Sequence, residues 1–355
     1  MRNGNYSSVI DKLIDNFPLP IDKGVVVEGR APTSATSEFL TNKEQGDWAE
    51  RLVVKAINES SSGYVAVPYG RSDLIAAGED GFAEFYKAYQ NELNTIGKKP
   101  DVLLFRTCDA PGCNADLERA ECVSRAVAAL EIRSSSFLSD TYKRAMGYRI
   151  ASAERRCKEL RDAIMDEPYG SLLEGKNPTV HELLRTATAD TFRELTFRAV
   201  CWTSSEKLRE LSSLMKELKT NIAQLHKRDF LSITPKLEDI ALVNRWIANF
   251  NVPHFYLQVF FDRAFVISFE KILSICSDPR KEGVDFSVET DVKNQGKTTV
   301  KVNIDAGEPI MGKIDMPRHY SAMKELDRGR LLFYVKFDGG QGYLDLDVLK
   351  RTIEP

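Results

Sequence analysis

Two short apolar runs constrain this chain more than any other feature. PDVLLF (residues 100–105) and AVAALEIR (residues 126–133) are separated by a loop-like stretch, and each carries charge at one end. Neither alternates apolar with polar residues, so each reads as a strand covered on both faces, as in a sheet flanked by helices. Pro100 forbids the continuation of a preceding helix. Glu131 and Arg133 stand two apart, so alternation puts both on one face of their strand, after residues that read as buried. Ionised groups at such a position need partners.

The rest of the chain surrounds these strands with mixed structure. NKEQGDWAERLVVKAINES has the apolar spacing of a helix, with Trp48, Leu52, Val53, Ala56 and Ile57 on one side, and SSSG closes it. YVAVPYG reads as a strand and FAEFYKAYQNEL as a second helix. Residues 141–228 are mostly helical in pattern and end in an amphipathic, charge-laced segment. FLSITPKLED returns to strand character, IALVNRWIANFN is helical, and HFYLQVFF is an aromatic strand that reads as core. From residue 283, β-formers cluster between NQG and DGG turns. The expected class is α/β, a mixed sheet flanked by helices. Four parts are expected: 1–140, a helical insertion at 141–228, 229–282, and a β-rich region at 283–355.

Composition narrows the function classes only slightly. A net charge of −3 is unlike a bulk nucleic-acid binder, yet a local basic cleft can sit on an acidic protein. Charges interrupt every apolar run well short of the roughly 18–20 residues of a membrane span. The amino terminus lacks a secretion signal, and the six cysteines are irregularly spaced. Cys108 and Cys113 have no matching Cys or His pair nearby, so free thiols and a cytoplasmic location are expected. No Gly-rich phosphate loop, Ser-His-Asp ordering or HExxH string is present.

Phosphodiester hydrolysis needs an activated water and a means of neutralising charge that builds on the phosphate. A hard divalent cation held by Asp and Glu supplies both, and a neighbouring basic group orients water or steadies oxygens. An Asp at the start of one strand and a Glu near the end of the next can lie side by side, so Asp101, Glu131 and Arg133 could face one cleft. Residue types and spacing leave the alternative open: turn chemistry at Pro-Asp, and a solvated Glu-x-Arg face.

The strings TSEFLTNKEQGDWAE, PDVLLF, LEIRSSSFL and NVPHFYLQVFFDRAFVISFEKIL resemble the AccI-type restriction endonucleases. PD followed by E-I-R is similar to the PD-(D/E)xK nuclease signature. The resemblance touches residues 33 to 275 with gaps. It implies a restriction-endonuclease-like sheet built from helix 43–58, strands 64–69, 101–105, 127–133 and 231–236, helix 239–250 and strand 255–261. It implies a type II restriction endonuclease that hydrolyses double-stranded DNA with Mg²⁺ at a short palindrome similar to GTMKAC. A homodimer follows from the palindrome, as does a cognate DNA methyltransferase that acts without direct contact.

By the same resemblance, Asp101 and Glu131 would be metal ligands, and Glu50 in GDWAE the helix glutamate near the metal. Arg133 departs from the usual lysine. Arginine keeps the charge but cannot accept a proton, so it would hold the attacking water or a phosphate oxygen, or a lysine from elsewhere, Lys236 or Lys143, takes the task. Base contacts are expected from the KNQGK turn, Lys293, Asn294, Gln295 and Lys297, and from Arg185, Arg193, Arg198 and Arg318, His319 and Tyr320. Two alternatives share the fold: a structure-specific repair or junction nuclease, and a DNA-binding protein with a decayed site.

Overall fold

The computed structural model describes residues 6–16, 34–70, 75, 77–110, 117, 119–198, 200–291, 297–326 and 329–354. Lys293, Asn294 and Gln295 lie outside these residues. The chain divides into two compact units, residues 1–139 with 231–355, and residues 140–230.

The first unit opens with α1 (Ser7–Asn16) and α2 (Ser37–Asn58), whose start is fixed by the Thr36 hydroxyl accepting from Phe39 N at 3.1 Å. Strand β1 (Tyr64–Pro68), helix α3 (Phe82–Ile96), β2 (Val102–Arg106), the single turn α4 (Ala120–Val123) and β3 (Ala128–Ser134) follow. The second unit holds α5 (Ser139–Met165), which begins at the boundary, then α6 (Tyr169–Lys176), α7 (Pro178–Thr186) and α8 (Glu206–Leu225). Its core packs Cys157, Leu160, Leu184, Phe192, Leu211 and Met215, apolar positions that recur at helical spacing. Arg185 there is paired with Glu182 at 2.6 Å.

After residue 230 the chain returns to the first unit with β4 (Ser232–Ile233), α9 (Leu237–Phe250), β5 (His254–Val259), β6 (Ala264–Ser268) and α10 (Phe269–Cys276). It ends with β7 (Phe286–Asp291), β8 (Lys297–Asn303), β9 (Glu308–Asp315), β10 (Arg318–Leu326), β11 (Arg330–Asp338), β12 (Gln341–Leu344) and α11 (Leu346–Ile353). Among the described residues no helix is long and apolar enough to cross a membrane.

Seven strands form one mixed sheet in the order β1-β2-β3-β5-β6-β9-β12. β3 and β5 run parallel, and every other neighbouring pair is antiparallel. A parallel pair needs a long crossover, and here the connection from β3 to β5 carries the whole helical unit and α9. One face of the sheet is apolar. Val102, Leu104, Leu130, Ile132, Phe255, Leu257 and Val259 pack with Trp48, Leu52, Val53 and Ile57 of α2 and with α11. The Trp48 indole N–H also donates to Gly339 O at 2.9 Å.

One expected strand is placed differently. Residues 232–233 do not join the main sheet; they pair with β8 in a separate three-stranded sheet, β4-β8-β7. FLSITP has strand character, but its ladder with β8 covers only Ser232 and Ile233; beyond them Pro235 has no N–H to donate, its carbonyl accepts from Val300 N at 3.1 Å, and Lys236 meets Thr299 in an isolated bridge. β10 and β11 form a hairpin whose Leu326 and Leu332 pack on Ala35 and Leu40 beside α2. Arg318, His319 and Tyr320 are exposed on that hairpin.

A buried charge cluster as candidate active site

Asp101 precedes β2 and is locked to β3 twice. Its backbone N–H donates to Leu130 O at 3.1 Å, and its carboxylate Oδ2 accepts from Ile132 N at 2.6 Å. The side chain thereby satisfies a β3 amide that continued backbone pairing would otherwise engage. The register pairs Val102 with Leu130, and Asp101, one residue before β2, is bonded to the residues on either side of Glu131, whose charge bears on it. Glu131 itself stands on the reverse of the apolar face, because Leu130 and Ile132 point into the apolar core. Parallel pairing extends this reverse face into β5, where Ala129, Glu131 and Arg133 stand opposite His254, Tyr256 and Gln258. Trp246 of α9 packs edge-on against His254, with ring centroids 5.9 Å apart.

Four charges close a ring on this face. Lys98 Nζ lies 2.6 Å from Glu131 Oε1 and 2.6 Å from Asp239 Oδ2. A guanidinium nitrogen of Arg133 lies 2.7 Å from Glu131 Oε1 and 3.3 Å from Asp239 Oδ2. The side chains are well enclosed, with Glu131 2% exposed, Asp239 14%, Lys98 15% and Arg133 27%. Each cation bridges both carboxylates, which is the arrangement that makes a buried set of charges tolerable.

The chain delivers Lys98 here through a tight approach to α9. Gly97, with φ near +87°, ends α3; a Cβ on it would meet Leu242 O at 2.3 Å and Trp246 N at 2.6 Å, so only glycine fits. The Lys98 backbone N–H then donates to Leu242 O at 3.1 Å, one turn along α9 from Asp239. Lys99 turns away, pairing with Glu92 at 2.9 Å and lying over the Tyr69 ring.

The electrostatics divide the carboxylates into two kinds. Burial disfavours ionised Glu131, but Lys98 and Arg133 outweigh it and hold the carboxyl below its usual range. Asp239 is buried too, and Lys98, Lys236 and Arg133 bring it down to about 2. Asp101 is pushed well up, first by burial and then by the charges of Glu131 and Glu50. Glu50, on α2, is pushed up to about 7 by burial, Asp47 and Glu131. Lys98 is raised by Asp239 and Glu131 against the opposing effect of burial. Burial brings His254 down to about 4, so its ring is neutral near pH 7, and raises Tyr256.

Several buried polar atoms on this face have no hydrogen-bond partner among the described residues: Glu131 Oε2, both ring nitrogens of His254, the Tyr256 hydroxyl and Gln258 Oε1. An orphaned carboxylate oxygen beside two proton-hungry carboxyls is a hard-oxygen donor set short of positive charge, which fits a small divalent cation. No three His, Cys, Asp or Glu side chains among the described residues converge as a cage by themselves. A Mg²⁺ ion does not need one, because it keeps several waters and takes one or two carboxylates.

The sequence expectations meet this geometry unevenly. Arg133 pairs with Glu131, the charge of Glu131 bears on Asp101, and Glu50 lies near enough to feel Glu131 and to bear on Asp101. Lys236 is not on a strand of the main sheet. It is exposed at the N-cap of α9 and acts on the cluster through Asp239. Lys143 belongs to the helical unit. Lys297 begins β8 in the smaller sheet. Sequence reasoning missed Lys98 and Asp239. Lys98 opens the stretch KKPD, where two adjacent lysines before the Pro-Asp pair do not tell which one turns to Glu131; Asp239 gave no signal.

A cavity of about 560 Å³ lined by Arg106, Val127, Asn251, His254, Glu270 and Glu354 opens near the other ends of β2 and β3, where none of the four ring residues lines it. A family model described as AccI restriction endonuclease matches residues 5–354. No curated protein and no solved structure matches the chain.

Proposed function

For a chain that belongs to the AccI restriction endonuclease family, and is therefore a site-specific DNA endonuclease, we propose a Mg²⁺-dependent phosphodiester hydrolase on a PD-(D/E)xK-like sheet. The observation that carries this reading is the disposition of Glu131: one oxygen is held by Lys98 and Arg133, while the other is buried without a hydrogen-bond partner, and Asp101 is bonded to the residues on either side of Glu131. Asp101 and Glu131 would hold the ion, with Glu50 close enough to join through water. The ion, when bound, supplies a water of lowered pKa and neutralises charge on the scissile phosphate.

The chain's own groups supply the rest. Ile132 N–H fixes one Asp101 oxygen, and the other would face the ion. Lys98 takes the place that the family signature gives to a lysine two residues after the glutamate. Its ammonium reaches the same carboxylate from a different segment and can orient the attacking water or a phosphate oxygen. Arg133, always charged, adds electrostatic stabilisation and no proton acceptance. Lys98 also weighs against the decayed-site alternative, because the cation that Arg133 fails to replace is present.

The reading extends to a homodimer on a short palindrome similar to GTMKAC, with a cognate methyltransferase in the same system. The helical unit, the β10–β11 hairpin and the KNQGK turn are proposed to supply DNA contacts. The test is incubation of purified protein with long duplex DNA, with and without Mg²⁺, wild type beside Glu131→Gln. Discrete fragments that need both the metal and Glu131 support the reading, and sequencing their ends gives the target. Intact duplex left whole while nicked or branched DNA is cut points to the structure-specific alternative. Binding without cleavage under any divalent metal overturns it.

A further inference from the structure

We propose that Asp239 is a positioning residue of the nuclease site: by sharing Lys98 and Arg133 with Glu131, it fixes where the Lys98 ammonium stands. The inference rests on the metal-site reading above and deepens it. Lysine is a compact charge on a flexible four-carbon stem, and tying it at one point leaves most of its rotamers open. Lys98 is tied at two, with 2.6 Å to each carboxylate, and its backbone is tied at a third through Leu242 O. Asp239 and Leu242 are one turn apart on α9, so a single rigid element sets both the stem and the tip of Lys98.

Asp239 also does something that Glu131 cannot do alone. When a carboxylate turns toward a metal ion, two cations leaning on it lose part of their counter-charge. Asp239 holds both on its own account, so Lys98 and Arg133 stay in place whichever way Glu131 is used. It reaches them from the first turn of α9 without serving as that helix's cap, since Lys236 occupies the N-cap and no side chain bonds there. Its contacts are with the two cations, which marks its part as one played through them.

The test is a double-substitution cycle in the full-length protein, reading the single-turnover rate of long duplex DNA cleavage at saturating Mg²⁺, DNA affinity, and thermal unfolding. Asp239→Asn is expected to slow cleavage about 10- to 100-fold, the loss typical of groups that orient residues at a metal site, with DNA affinity unchanged. Asp239→Glu recovers at least part of the rate. In a Lys98→Gln background, Asp239→Asn costs clearly less than in the wild type, because only its hold on Arg133 remains to be lost. Full-rate cleavage by Asp239→Asn overturns the proposal, and so does an undiminished further loss in the Lys98→Gln background. If Asp239→Asn alone fails to fold, the rate of the double variant against Lys98→Gln decides in the same way. Asp101→Asn and Glu131→Gln run alongside separate the two failures. If they cut normally the metal-site reading falls, and if they are dead while Asp239→Asn is fast only the role of Asp239 falls.

Discussion

The two faces of β3 and β5 are built from alternate residues of the same two strands, yet they solve opposite problems. On one, Leu130, Ile132, Phe255, Leu257 and Val259 bury apolar surface against α2. On the other, Glu131, Arg133, His254, Tyr256 and Gln258 stand over α9 with polar atoms that the protein leaves partly unsatisfied. Both faces are equally shut from water along β5, whose six residues are all buried. Burial alone therefore does not mark the site. What marks the proposed site is burial that incurs a cost: the apolar face stabilises the fold, while the polar face concentrates charges and orphaned polar atoms that need partners.

Substitutions should separate these roles. Asp101→Asn and Glu131→Gln are expected to lower Mg²⁺-dependent cleavage by at least about a thousandfold, the upper range for losing one charge-stabilising group, while the folded protein still unfolds cooperatively. Leu130→Ala, next to Glu131 but on the opposite face, is expected to lower stability by about 3 kcal/mol in urea unfolding and leave the cleavage rate per folded molecule nearly unchanged. If Leu130→Ala abolished cleavage in fully folded protein, the two faces would not be separable.

Lys98→Gln comes next, with cleavage down about a hundredfold and DNA affinity little changed. Glu50 gives a pH signature. Its folded pKa, near 7, lies above its ordinary value of 4.5, so its contribution to metal-free stability is full below about pH 4.5 and is lost as pH rises through about 7. The expected loss is about 1–2 kcal/mol, discounted for the water that reaches this half-buried group. Urea unfolding from pH 5 to 8 checks it: Glu50→Gln flattens the slope, and Mg²⁺ restores stability at pH 8 in the wild type. The smallest effect is expected from exposed Lys236→Met, within about 0.5 kcal/mol of stability and a few-fold of cleavage; a dead variant would return the base role to Lys236.

The parts of this molecule legible in the sequence are those decided by local pattern. The apolar runs of β2, β3 and β5 and the spacing of Trp48, Leu52, Val53 and Ile57 specify their elements directly. Strand alternation placed Glu131 with Arg133, and the neighbouring Pro-Asp supplied Asp101. β4 misled because a short β-prone stretch does not say which sheet it joins. The ring's remaining members were hidden for a different reason. Of the adjacent Lys98 and Lys99, one turns to Glu131 and the other to Glu92, a choice made by packing against α9. Asp239 meets Lys98 across 141 positions, and nothing local in LEDIALV announces that contact.

The connection that makes β3 and β5 parallel also fixes an order of events during synthesis. A nascent chain that has emerged only through residue 230 carries Asp101, Glu131, Arg133 and Lys98, but neither α9 nor β5. At that point the acidic strand has no neighbour on one side, and its lysine has neither the backbone carbonyl nor the carboxylate that hold it. The proposed site is thus completed last, by the segment that follows the helical unit, and a truncated product that stops short of that segment holds the lysine, arginine and glutamate of the ring without the aspartate that joins them.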